Sequence, residues 1–144
     1  MPETRWFNDT RIRIHSPSLV ESEARQGNMP PLHVHDEDET FYVLEGRLSL
    51  HLPGESVEIG PGESAFGPRG IPHTYRVESA EDARWLVTTS DGEFAAFVAE
   101  TSSPAENGGY APVEAMPAPE ALAAAGARHG IVILGPPGAL PAGV

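Results

Sequence analysis

Up to residue 90 the chain alternates apolar and polar side chains with a period of two, the pattern of strands that bury one face. Residues 10–15 set Ile12 and Ile14 among Arg11, Arg13 and His15. Residues 47–52 put Leu48, Leu50 and Leu52 on one face and Arg47, Ser49 and His51 on the other. Further strands are predicted over 18–25, 32–35, 39–44, 56–59, 63–66, 73–77 and 83–90. The breaks between them are built from turn formers: Gly27 with Pro30 and Pro31, Pro53-Gly54, Gly60-Pro61-Gly62, and the stretch from Gly67 to Pro72. Short strands spaced roughly 8–12 residues apart, with no helical crossover to build a parallel sheet, predict an all-β sandwich or small barrel.

The pattern changes past residue 90. Asp91-Gly92 is placed to cap a short helix bearing Phe94, Phe97 and Val98, and 101–117 is a low-complexity Ala, Pro, Gly and Glu passage with little expected structure. The clearest helix covers 119–128, with Pro119 and Glu120 in its first turn and Gly130 as its stop. Residues 131–134 add a strand or docked tail, and 135–144 carry no pattern and are expected to fray. The expected organisation is a β domain over 1–100 and a Pro/Ala/Gly-rich tail over 101–144 with one helix.

Composition narrows the chemistry. At 144 residues the chain is one ordinary domain. It has no Cys, so disulfides, a thiolate nucleophile and Cys-held metals are excluded, and any metal must sit on His and carboxylate. All nine basic residues are Arg, which excludes a Schiff-base lysine. A net charge of −12 with no basic cluster repels phosphate backbones and anionic lipid, so neither nucleic acid nor a membrane surface is an expected partner. The start, Met1-Pro2-Glu3-Thr4-Arg5-Trp6, lacks the cationic and apolar regions of a signal peptide, and the expected location is cytoplasmic.

One constellation carries chemistry. His33 and His35 are two apart on a predicted strand, so both imidazoles leave the same face, and Glu39 returns a carboxylate beside them across a tight turn. His73, opening another strand, is a fourth ligand candidate. The mixed nitrogen and oxygen set suits one divalent first-row transition metal such as Fe, Ni, Co, Mn or Zn, whereas Mg or Ca wants more oxygens. The acidic run Asp36-Glu37-Asp38-Glu39 is expected to hold the histidine pKa values up and, Glu39 apart, to be a solvated turn. By alternation Phe41 and Val43 share the face of Glu39, and Tyr75 and Val77 that of His73, so these four are expected to line a substrate pocket. Core packing accounts for Phe41 and Val43 equally well, whereas the Tyr75 hydroxyl needs a partner if buried. His15, His51 and His129 read as structural or solvated, and parity does not assign Trp85 or Phe66 to the cavity mouth or the sheet interface.

At these residues the chain resembles the cupin superfamily. The first cupin motif, G-x5-H-x-H-x3-E-x6-G, is met by Gly27, His33, His35, Glu39 and Gly46. The second, G-x5-P-x-G-x2-H-x3-N, is met by Gly62, Pro68, Gly70 and His73, with Val77 where the motif has Asn. The resemblance implies a jelly-roll type cupin sandwich, here a single copy with a C-terminal helical extension, and it carries the family's metal ligands onto His33, His35, Glu39 and His73. The phrase from Glu39 to Gly46 is similar to the quercetinase-like group. There the resemblance implies a metal-dependent dioxygenase of a small enolisable or phenolic molecule, with Glu39 doubling as ligand and base. A non-oxidative polyketide cyclase or isomerase uses a similar pocket, and a small-ligand sensor is the third reading, although sensor cupins are commonly fused to a helix-turn-helix and none is recognisable before residue 10. Cupins commonly dimerise, and Trp6, Phe7, Ile12 and Ile14 offer the apolar area expected to form a homodimer.

Overall fold

The computed structural model describes residues 2–144. The alternating segments become strands β1 (Arg5–Phe7), β2 (Thr10–Ser16), β3 (Leu19–Ala24), β4 (Pro31–His35), β5 (Glu39–Glu45), β6 (Leu48–Leu52), β7 (Glu55–Ile59), β8 (Ser64–Gly67), β9 (Thr74–Val77) and β10 (Ala83–Thr89). Helix α1 (Glu93–Thr101), β11 (Ser103–Pro104), α2 (Pro119–Arg128) and β12 (Ile131–Pro137) follow. A seven-stranded antiparallel sheet runs in the order β11-β1-β2-β3-β10-β5-β8. The opposing layer consists of β7-β6-β9 and β12-β4, tied to each other by a single antiparallel bridge between His33 and His73. Across that bridge His33 N–H donates to the His73 carbonyl at 3.2 Å and His73 N–H to the His33 carbonyl at 2.9 Å.

The core between the layers is what the period-two pattern demands: Ile12 and Val20 from one side, Leu48, Leu50 and Val77 from the other, and Val43 and Trp85 from the centre of the large sheet. Gly46 turns β5 into β6 at φ +76°. A Cβ there would lie 2.7 Å from Ala83 Cα and 2.7 Å from Ser79 Oγ, so both the backbone angle and the space require glycine.

Three expectations fail, each because a partner distant in sequence supplies order. Residues 135–144 do not fray: β12 runs to Pro137 against β4, and Gly54 N–H donates to the Ala142 carbonyl at 2.9 Å. The 101–117 passage is anchored too. β11 pairs with β1, and the Tyr110 ring lies 4.5 Å from both the Arg11 and Arg25 guanidinium carbons while its hydroxyl donates to Asp82. Trp6 and Ile12 are buried, Trp6 Nε1 donates to the Gly109 carbonyl, and Phe7 packs edge-on against Phe94 and Phe97. The apolar surface on which a homodimer was expected is therefore largely covered within one chain. Among the described residues no helix is long and apolar enough to cross a membrane.

Candidate metal centre

β4 carries His33 and His35 on one face by simple alternation, and the bridge to β9 brings His73 beside them. The imidazole centroids lie 4.4 Å apart for His33 and His73, 4.8 Å for His35 and His73, and 5.5 Å for His33 and His35. In each ring Nδ1–H donates to a backbone carbonyl two residues away: Pro31 at 2.7 Å, Glu37 at 3.0 Å and Ile71 at 3.0 Å. Those three bonds leave the three Nε2 atoms to meet, the orientation that fixes ligating imidazoles in metal sites. One nitrogen from each ring falls within 4.8 Å of the others, so His33, His35 and His73 form a group able to hold a metal ion.

Glu39 opens β5 at the same point. Its Oε1 accepts from His73 Nε2 at 2.8 Å and from His35 Nε2 at 3.3 Å. Burial works against the Glu39 charge, but the bonds from His35 and His73 outweigh it and hold the carboxyl well below its usual range. His35 is likewise buried, yet the Glu39 bond and charge raise its pKa. His33 goes the other way, down to about 4, because burial and the neighbouring His73 disfavour its charge. The expectation that the acidic run lifts all the histidines thus fails for His33. The run is also not all solvated. Glu37 is buried, and its two carboxylate oxygens accept from Asp91 N–H and Phe94 N–H at 2.9 Å. This carboxylate, rather than the side chains of Asp91-Gly92, caps α1, since no side chain at the N-cap itself does so.

A cavity of about 500 Å³ opens from the histidines between the layers. His33, His35 and Glu39 line it, whereas His73 is enclosed behind them. Phe41 and Tyr75, each two residues along its strand from a ligand candidate, form its walls with ring centroids 5.7 Å apart. Val43 and Val77, expected to line it as well, do not: four residues along, the facing layers have closed, and both valines are fully buried in the core. Trp85 lines the cavity and Phe66 is 54% exposed on the outer face, which settles what parity left open. Met116, Leu122, Ile131 and Ile133 also line it, and nothing in their local sequence signalled this. β12 pairs Ile131 with His35 and Ile133 with His33, so the C-terminal strand lies directly alongside the histidine strand.

The cupin domain family model matches residues 20–89. Among solved structures, the polyketide cyclase RemF of Streptomyces resistomycificus is 32% identical over 61% of this chain and 68% of its own, with a TM-score of 0.50. The chain belongs to the cupin family. A structure from Thermus thermophilus agrees, 29% identical over 62% of the cupin and 84% of its own chain, at a TM-score of 0.51. The quercetin 2,3-dioxygenase of Bacillus subtilis is 37% identical over 88 residues, 60% of this cupin and 26% of that enzyme. The cupin thus spans about a quarter of that relative, and 37% and 55% of two uncharacterised curated relatives.

Proposed function

We propose that this cupin is a metal-dependent enzyme acting on a small enolisable or phenolic molecule, as a dioxygenase. The observation that carries the reading is the buried, ionised Glu39 between converging histidines at one end of a mostly apolar cavity. The donor set fits the implied metal: three Nε2 atoms oriented from behind, one of them on a histidine kept neutral by burial, with one carboxylate. His33, His35, His73 and Glu39 are the residues that hold it. When bound, such an ion supplies Lewis-acid polarisation of substrate oxygens and, if redox-active, electron exchange with dioxygen.

The chain's own groups do the rest. Glu39 stays ionised at neutral pH and accepts the proton of an enol or phenol directed at the histidines. Burial, with the Glu39 charge nearby, keeps the Tyr75 phenol protonated, so it acts as a donor and not as a base. Phe41, Tyr75 and the C-terminal strand present apolar walls that select a planar organic ligand and exclude bulk water. The similarity to RemF supports a second reading, in which the same residues promote enolisation and ring closure without oxygen.

The deciding experiment is an oxygen electrode with metal-loaded protein and flavonols, catechols or cyclic diketones. A dioxygenase consumes oxygen in proportion to product. Equal rates under nitrogen end the dioxygenase reading in favour of the cyclase, and saturable binding without turnover ends both in favour of a sensor.

A further inference from the structure

Two buried side-chain polar atoms among the described residues have no hydrogen-bond partner, Trp85 Nε1 and Asn28 Oδ1, and both residues line the cavity. We infer that the end of the cavity remote from the histidines is a hydrogen-bonding subsite, where Trp85 Nε1–H donates to a substrate oxygen and Asn28 Oδ1 accepts from a substrate hydroxyl. This rests on the cavity being the substrate site.

Strand register locates the two residues. On β10, Thr89 lies opposite Glu39, Val87 opposite Phe41 and Trp85 opposite Val43, so Trp85 stands four residues from the level of Glu39. At about 3.3 Å per residue that is roughly 13 Å. Tyr75 fills the interval, its ring centroid 5.7 Å from Phe41 and 5.4 Å from Trp85. In the opposing layer the Asn28 carbonyl accepts from Val77 N–H, four residues beyond His73 on the far side of Tyr75. The two unpaired atoms therefore mark the same end of the cavity, and that end is not the metal end.

The chemistry of the pair is complementary. An indole N–H only donates; a side-chain amide oxygen only accepts. The Asn28 amide is oriented by its own Nδ2, which donates to the Asp9 carbonyl, so the oxygen faces away from that partner. Buried polar groups without partners are unfavourable, and proteins tolerate them where something else completes the bond. Both atoms are closed to water in the free protein, so ligand entry includes an adjustment of the side chains packed over them, Tyr75 among them. A ligand that reaches both ends is an elongated aromatic of two or three linked rings. Its enol or phenol lies at the histidine end and a further hydroxyl at the far end, the spacing being set by the aromatic walls between.

Calorimetric titration of the metal-loaded protein under nitrogen tests this without any turnover. The probes share one flavonol core and carry, at the ring remote from the enol, a hydrogen, a hydroxyl or a methyl ether. The hydroxyl is expected to bind about tenfold tighter than the hydrogen, with the methyl ether between them because it keeps the acceptor and loses the donor. Trp85→Phe should abolish the advantage of the ether over the hydrogen. Asn28→Leu should bring the hydroxyl down to the level of the ether. Equal affinity for the three probes in the wild-type protein overturns the subsite and leaves the metal-end reading standing. If none of the three binds, the flavonol-like substrate class falls with it. Should Trp85→Phe fail to fold, the wild-type series and Asn28→Leu decide alone.

Discussion

Replacing Glu39 by Gln removes one negative charge and leaves the side-chain volume and one amide oxygen in place, so it separates the role of charge from that of packing. In the structure Oε1 accepts from His73 at 2.8 Å and from His35 at 3.3 Å. Hydrogen bonds to charged groups contribute about 1.5–3 kcal/mol and neutral ones about 0.5–1.5, so converting two contacts costs about 2 kcal/mol at most. Burying an ion is itself unfavourable and offsets part of that. The expected loss of metal-free stability is therefore between zero and about 2 kcal/mol, a fall in Tm of no more than roughly 8 °C for a chain of this length. Because the Glu39 pKa is depressed, its contribution is fully present above the ordinary value of 4.5 and fades as pH falls toward the folded value. Turnover should respond on a different scale: loss of a general base lowers it by about 10²–10⁴-fold, equivalent to roughly 3–5 kcal/mol. The assay pairs melting curves with elemental analysis and with turnover expressed per bound metal. Full metal content with unchanged turnover refutes the role of Glu39 as base. Reduced metal with unchanged turnover per metal makes it a ligand only.

His33→Ala and His73→Ala should each leave a folded protein that binds no more than a small fraction of one equivalent of iron, nickel, cobalt, manganese or zinc by elemental analysis. Wild-type protein that takes up none of these metals excludes the ligand set. Metal uptake by wild type should weaken as pH falls through the raised His35 pKa, because the proton that Glu39 holds on that ring must leave first, and pH-stepped dialysis reads this directly. Gly46→Ala should cost roughly 2–5 kcal/mol in denaturant titration, since it combines positive φ with overlap on Ala83 and Ser79. Gly62→Ala, at φ +81° in open space, should cost only about 1–2. His129 bridges Glu100 at 2.9 Å and Glu93 at 3.0 Å, and these bonds raise its pKa. Its contribution is present below the ordinary value of 6.5 and lost as pH rises through the folded one, so the Tm deficit of His129→Gln should be larger at pH 5.5 than at pH 9.

Much of the sandwich was legible because period-two alternation is a local property: once Leu48, Leu50 and Leu52 must share a face, the strand and its buried side follow. The same parity put His33 and His35 on one side of β4 and Phe41 two residues from Glu39. Parity failed where depth matters. Val43 and Val77 have the right face but lie where the layers have already closed, and only the packing of one sheet on the other sets how far along a strand a cavity extends. Glu37 looked like a solvated turn residue because its partners, the first amides of α1, are 54 and 57 residues away.

By itself, then, the sequence determined the elements, the faces of the strands and the four residues that offer ligand atoms, since each of these depends on residue type and short spacing. The tertiary structure decided the pairings across long separations. It set β12 against the histidine strand, covered the N-terminal apolar residues with α1 and the tail, and lowered the His33 pKa by burial. It also left Trp85 and Asn28 unpaired at the far end of the cavity. Closing a long loop carries an entropic cost that local composition does not encode, and it is met only when the whole apolar surface on both sides is buried together.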